Sequence, residues 1–289
     1  DGSFSFENIP YGTWYVREIE QPAGFVLDDT IYPVTIGADG QVVEIEIVNR
    51  YVRGNIHLTK VDSEYPDNKL TGATFEVYKD SNANGKLDDG DELLGTLTEK
   101  EIGEYGMNDL FYGHYFVKET KAPEGFVLDT GVYEVMIDTN GKTYEVENKA
   151  GVGFINDAMR GNLKIVKTSS DGKVKGFAFR ITGANGYDII LETNDKGEIF
   201  IDGLRIGDYT ISEVSNSASS MYVLPADKKA TVKLGSTTIV EMHNVLRDTP
   251  KTGDTTNLPL LYALAGLSAV GIAVCGVIGF KKKKKEDRN

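Results

Sequence analysis

The sequence predicts an all-β protein, a row of β-sandwiches followed by a C-terminal transmembrane helix. Three observations carry that expectation. Short runs alternate apolar and polar residues, as in Thr74-Phe75-Glu76-Val77-Tyr78 and Gly131-Val132-Tyr133-Glu134-Val135-Met136-Ile137. The runs are punctuated by turn pairs such as Asp39-Gly40, Asn140-Gly141 and Asp171-Gly172, which favour hairpins. Near the end, Leu258 to Phe280 runs 23 residues without a charge, enough helix to cover a hydrocarbon core of roughly 30 Å.

The strand runs recur as a repeat. Arg53-Gly54-Asn55-Ile56-His57-Leu58-Thr59-Lys60 returns as Arg160-Gly161-Asn162-Leu163-Lys164-Ile165-Val166-Lys167. Trp14-Tyr15-Val16-Arg17-Glu18, then Pro22-Ala23-Gly24-Phe25-Val26-Leu27-Asp28, returns as Tyr115-Phe116-Val117-Lys118-Glu119, then Pro123-Glu124-Gly125-Phe126-Val127-Leu128-Asp129. A looser third copy is Tyr209-Thr210-Ile211-Ser212-Glu213. Each unit is expected to close on a strand ending in asparagine, at Asn49, Asn156 and Asn244. The expected domains are 1–52, 53–158 and 159–247, of ordinary size for a sandwich. The opening Asp1-Gly2-Ser3 reads as the middle of a domain, so 1–52 is expected to be the C-terminal part of one.

These residues resemble the Cna B-type domains, the SpaA-like family of Gram-positive adhesins and pilins. The resemblance covers nearly all of 1–247. It implies a prealbumin-like, Ig-like sandwich in which a first-strand lysine and a last-strand asparagine join by a spontaneous isopeptide bond, assisted by a glutamate. Carried onto this chain, the set is Lys60, Glu119 and Asn156 in the second domain, with Asn148 the rival acceptor. In the third it is Lys167, Glu213 and Asn244. The first domain keeps Glu18 and Asn49. The residue types suit the chemistry. A lysine amine attacks an amide only when neutral, and burial lowers a lysine pKa while raising a carboxyl pKa. A protonated glutamic acid then polarises the asparagine carbonyl and moves protons as ammonia leaves. The reaction is a single turnover within the chain, so the protein is not expected to be an enzyme.

The tail is expected to do the anchoring. Thr249-Pro250-Lys251-Thr252-Gly253 lies in a polar linker, 248–257, ahead of the apolar span. Lys281 to Lys285 open a basic end, 281–289, which stays cytoplasmic and leaves the body outside. This order resembles the cell-wall sorting signal read by sortases, with Thr249 where leucine is usual. The resemblance implies cleavage between Thr252 and Gly253 and transfer of the Thr252 carboxyl to peptidoglycan or to another pilin. The membrane would be a partner only until cleavage, through 258–280. The implied location is the cell surface, covalently attached to the wall.

Charge and cysteine content agree with an exported chain. The net charge is −13, and residues 1–252 hold 25 basic against 41 acidic side chains, a balance that repels nucleic acid. The single cysteine, Cys275, falls inside the apolar span, so the exported part can form no disulfide. His57, His114 and His243 have no metal-site spacing.

One insertion carries separate chemistry. In Asp80-Ser81-Asn82-Ala83-Asn84-Gly85-Lys86-Leu87-Asp88-Asp89-Gly90-Asp91, side-chain oxygens fall at positions 1, 3, 5, 9 and 12, and glycine at position 6. That is the layout of a calcium loop, with Asp80, Asn82, Asn84, Asp88 and Asp91 as ligands and the Lys86 carbonyl at position 7. The expected affinity is weak, about 10⁻⁴–10⁻³ M. The expected function is a sortase-anchored adhesion stalk, with any host ligand met by domains upstream. The alternatives are a polymerised pilin shaft, or the stalk of a surface enzyme whose catalytic domain lies upstream.

Overall fold

The computed structural model describes residues 2–248. The sorting motif, the apolar span and the basic end lie outside the described residues. Among those described, no helix is long and apolar enough to cross a membrane, and the one helical element is a 3₁₀ turn at Ala184–Gly186.

The first unit contains β1 (Gly12–Val16), β2 (Phe25–Val26), β3 (Tyr32–Ile36) and β4 (Arg50–Tyr51), with β1 on β3 and β2 on β4, both antiparallel. The second contains β5 (Arg53–Asp62), β6 (Thr74–Lys79), β7 (Glu92–Thr96), β8 (Thr98–Glu101), β9 (Glu104–Phe111), β10 (Gly113–Lys121), β11 (Val132–Ile137), β12 (Thr143–Glu145) and β13 (Phe154–Asn156). One sheet runs β11-β10-β6-β7, and the other runs β12-β5-β9-β8 with β13 also on β5. The third unit contains β14 (Arg160–Ser169), β15 (Ala178–Thr182), β16 (Asp188–Glu192), β17 (Glu198–Arg205), β18 (Gly207–Val214), β19 (Tyr222–Val223), β20 (Lys228–Val232) and β21 (Thr237–Leu246). Its sheets run β17-β14-β21-β19 and β16-β15-β18-β20.

In both complete sandwiches the last strand lies parallel to the first. Parallel neighbours need a long crossover, and here the rest of the domain supplies it. The first unit departs from the expected pattern. Residues 41–49, although alternating, form no ladder, because 2–52 contains no first strand for them to pair with. Apolar side chains such as Phe4, Ile19, Val42 and Val48 are correspondingly exposed.

The period-two alternation of β5 sends Ile56, Leu58 and Lys60 inward, and that of β14 sends Leu163, Ile165 and Lys167 inward. The second core gathers Phe75, Val77, Tyr105, Val117 and Phe154 around them. The third gathers Phe177, Phe179, Ile211, Val240 and Met242. Each lysine thus occupies a position that the pattern reserves for an apolar residue.

The two joints between units share one main-chain scheme. Val52 N–H donates to the Gly24 carbonyl and Tyr112 N–H to the Val52 carbonyl; Met159 N–H donates to the Gly125 carbonyl and Ile206 N–H to the Met159 carbonyl. The side chains differ. At the first joint the Arg53 guanidinium stacks on Phe111, which meets Tyr51 edge-on. At the second, Arg205 donates to both oxygens of Asp62 at 2.5 and 2.7 Å and to Glu64 at 2.7 Å, while Arg160 also pairs with Glu64. Asp62 is 2 % exposed and the Arg205 side chain 14 %. Truncating one partner of a pair this dry leaves a buried charge behind. Arg205→Ala should therefore cost about 3 kcal/mol at this joint. Small-angle scattering should then show a broader distribution of interdomain distances, and an unchanged profile would refute the clamp.

Candidate crosslinking site

In the second domain β5 supplies Lys60, β10 supplies Glu119 and β13 supplies Asn156. All three are buried, at 0 %, 0 % and 3 % exposure. Lys60 Nζ lies 3.9 Å from Glu119 Oε1 and donates to the Phe154 carbonyl at 3.0 Å. Asn156 Nδ2 donates to Glu119 Oε2 at 2.7 Å and to the Val127 carbonyl. The register explains the meeting. Lys60 faces Phe154 across the parallel ladder, and Asn156, two residues on, projects to the same face. In the third domain Lys167 faces Met242, and Asn244 is again two residues on. Asn244 Nδ2 donates to Glu213 Oε1 at 2.6 Å. Lys167 is directed at the Thr168 carbonyl and lies 4.1 Å over the Phe177 ring. In the first unit Asn49 Nδ2 donates to Glu18 Oε1 at 2.6 Å, and no lysine joins them.

Burial sets the charge balance. It drives the Lys60 amine down to about 8, against the pull of Glu119, Asp129 and Asp62. It raises the Glu119 carboxyl, although Asn156, the Asp129 N–H and Lys60 oppose it. Lys167 is lowered and Glu213 raised, each again by burial. Both pairs are thereby pushed toward a neutral amine beside a neutral acid.

The polar inventory is uneven in an informative way. Among the described residues, the buried side-chain polar atoms without a hydrogen-bond partner are Asn49 Oδ1, Glu119 Oε1, Asn156 Oδ1, Glu213 Oε2 and Asn244 Oδ1. Every one belongs to a lysine–glutamate–asparagine set or to the Glu18–Asn49 pair of the first unit. An unmet buried group costs about 1–3 kcal/mol, so a stable fold concentrates them only where chemistry uses them.

Asn148 stands apart from this geometry. Its Nδ2 donates to Asp129 Oδ2 and the Ile155 carbonyl, and its Oδ1 accepts from the Ile155 N–H at 2.7 Å. It sits three residues past the end of β12 rather than on a strand end, and both ends of its amide are used. Sequence reasoning passed over Asp129, although the signal lay in the repeat. Asp28 and Asp129 end the same Phe-Val-Leu-Asp segment, and each N–H donates to the domain's glutamate, Glu18 or Glu119, at 2.8 Å.

The acidic loop 80–91 links β6 to β7. Asn82 and Asn84 amides donate to Asp88 at 3.0 and 2.6 Å, and Asp91 accepts from the Ser81 and Asp88 N–H groups. Asp80 accepts from the Asn84 and Gly85 N–H groups, and His114 Nδ1 lies 3.2 Å away. Burial works against the Asp80 charge, but these donors outweigh it and hold the carboxyl below its usual range. Gly85 has φ of +71°, the left-handed bend that position 6 needs. The candidate ligands offer oxygens, which suit a hard cation. Here, however, the Asn82 and Asn84 amides turn nitrogen toward Asp88, and among the described residues no group of three or more His, Cys, Asp or Glu is gathered as a metal site. The Lys86 side chain extends from the exposed loop, leaving its carbonyl as the expected ligand.

Comparison with known proteins decides the family. The family described as SpaA, a prealbumin-like fold domain, matches residues 1–51, 54–150 and 161–245. The chain belongs to this family. It is 28 % identical over 184 residues to the trypsin-resistant surface T6 protein of Streptococcus pyogenes serotype M6, covering 62 % of this chain and 30 % of that protein. In structure it is similar to the Bacillus anthracis TIE protein, with a TM-score of 0.62 and 26 % identity over 82 % of this chain and 43 % of the other. A streptococcal ancillary pilin matches at 22 % identity with a TM-score of 0.31, covering 83 % and 76 %. The chain thus spans under half the length of the T6 and TIE proteins.

Proposed function

We propose that this chain is the load-bearing stalk of a cell-surface protein, with its complete sandwiches closed by Lys60–Asn156 and Lys167–Asn244 isopeptide bonds. The observation that supports it most is that, among the described residues, four of the five unmet buried side-chain polar atoms lie in these two sets, the fifth being Asn49 Oδ1. The neutral Lys60 amine attacks the Asn156 side-chain carbonyl, whose Oδ1 has no hydrogen-bond partner, while Glu119 faces the amide Nδ2. The new C–N bond forms as the amide nitrogen takes up a proton and leaves as ammonia, and Glu119 carries the proton between them. A cavity of about 250 Å³, lined by Asp129, Tyr133, Asn148 and Asn156, gives the ammonia an outlet. The fold supplies the effective concentration. Intact-mass measurement tests the bond. Two losses of about 17 Da each are expected, from the mass of ammonia, and the plain sequence mass would sink the proposal.

Surface location is supported by the likeness to a streptococcal surface protein and by the order of sorting motif, apolar span and basic end. On this proposal a sortase cleaves after Thr252 and joins the chain to peptidoglycan or to another pilin. A single wall-linked band on cell-wall extraction would mark a stalk, and a ladder resistant to detergent would mark a pilus subunit.

We also propose that loop 80–91 holds calcium through Asp80, Asn82, Asn84, Asp88, Asp91 and the Lys86 carbonyl, where it would stiffen the β6–β7 connection. Titration calorimetry should show heat at millimolar calcium that Asp88→Ala abolishes. No heat in the unaltered chain would count against the site.

A further inference from the structure

The last strand of the second domain is broken. Thr143–Glu145 and Phe154–Asn156 both pair with β5, but eight residues intervene, and the piece that carries Asn156 is only three residues long. In the third domain the same strand runs unbroken from Thr237 to Leu246, in register with β14 as far as Asn244. A three-residue strand end should fray, yet Asn156 is buried and in place. Besides main-chain bonds from Ser63 N–H to the Asn156 carbonyl and from Val127 N–H to the Asp157 carbonyl, Asn148 and Asp129 brace it.

The Asn148 amide pairs with both backbone groups of Ile155, as a neighbouring strand would. Its Nδ2 also donates to Asp129 Oδ2 at 2.6 Å, and that oxygen takes the Tyr133 hydroxyl at 2.8 Å. The Asp129 N–H donates to Glu119 Oε2 at 2.8 Å, the oxygen that also faces Asn156. One residue therefore touches the proton carrier through its backbone and, through Asn148, the strand that presents the acceptor.

The third domain shows what happens without this need. Phe126 bridges Ala158 and Tyr222 bridges Leu246, each partner two residues past the acceptor asparagine. Counting three residues on from each aromatic, Pro225 stands where Asp129 does. Proline has no N–H to give Glu213 and no carboxylate to hold an amide. The continuous ladder of β21 on β14 places Asn244 without a comparable side-chain brace.

We propose that Asp129 and Asn148 are positioning residues for the Lys60–Asn156 bond, closing the broken strand and holding Asn156 and Glu119 in line with Lys60. This rests on the isopeptide proposal above. The test follows bond formation after the full chain, made unfolded in inclusion bodies and dissolved in urea, is diluted into native buffer. Peptide mapping by mass spectrometry reads the Lys60–Asn156 and Lys167–Asn244 links separately over time.

Asn148→Ala and Asp129→Ala should each slow the Lys60–Asn156 link on the order of tenfold to a hundredfold, the penalty of a small misplacement at a reacting centre. The Lys167–Asn244 link should keep its rate in the same molecules, which controls for gross misfolding. Asp129→Asn keeps an oxygen for Asn148 and Tyr133 and should restore most of the rate. An unchanged Lys60–Asn156 rate in both alanine variants would overturn the proposal. So would an Asp129→Asn variant as slow as Asp129→Ala, since charge rather than bracing would then be at work. Should Asn148→Ala not fold, the Asp129 pair carries the decision alone. Absence of the link in the unaltered chain would instead refute the crosslink itself.

Discussion

Replacing Lys60 with methionine should turn the second domain from an inextensible link into one that unravels under load. Force entering through Arg160 reaches Asn156 within a few residues, crosses the proposed bond to Lys60 and continues along β5. Residues 61–155 hang outside that path. Without the bond they join it, and full extension would release about 30 nm of chain at roughly 3.3–3.6 Å per residue. Methionine fills the apolar site left by the stem of Lys60 without an amine, so the change isolates the crosslink. By the loop-entropy argument used for disulfides, a bond closing a loop of nearly a hundred residues is worth about 4–5 kcal/mol. The Lys60→Met domain should accordingly melt roughly 20 °C lower, at about 4–8 °C per kcal/mol for a domain of this size. Single-molecule pulling should show one added unfolding event in Lys60→Met. The same event in the unaltered chain would refute the load path.

Much of this was legible in the sequence, and particular residues show why. Strand alternation fixed the face of Ile56, Leu58 and Lys60, since side-chain direction in a strand follows from parity alone. The repeat paired Lys60 with Lys167 and Glu119 with Glu213 without any distance being known. It favoured Asn156 over Asn148, because Asn49 precedes Lys60 and Asn156 precedes Lys167 by the same 11 residues, but it could not show the register across a parallel ladder that brings Asn156 to the face of Lys60. Nor could it show that 41–49 would form no ladder, since a strand needs its partner as well as its pattern. The Arg205–Asp62 clamp was equally hidden. An arginine at a hairpin end and an aspartate at a strand end look like ordinary surface residues until two domains meet.

The second large effect concerns pH, in a variant that keeps the buried pair but cannot join it. In Asn156→Ala, Lys60 and Glu119 stay in the core as free ionisable groups. The folded-state pKa of Lys60 is lowered from 10.5 to about 8 by burial. Between those values the unfolded chain binds more protons than the folded one, so stability must rise with pH across that window and be lost again as pH falls through about 8. The shift of about 2.5 units corresponds to roughly 3 kcal/mol at 1.36 kcal/mol per unit. Glu119 has the opposite sign. Its carboxyl is raised by burial, so the folded state binds more protons above the ordinary glutamate range, and stability rises as pH falls back through that window. Asn156→Ala should therefore be least stable between the Glu119 window and about pH 8, climbing on both sides. In the crosslinked chain the Lys60 nitrogen is an amide and no longer titrates, so the alkaline climb should vanish while the acid limb of Glu119 remains. Denaturant melts of both proteins between pH 7 and 10.5 decide the matter, because tyrosines and other groups common to the two cancel in the difference. Parallel curves across that range would mean that Lys60 is either already ionised freely or not consumed in a bond.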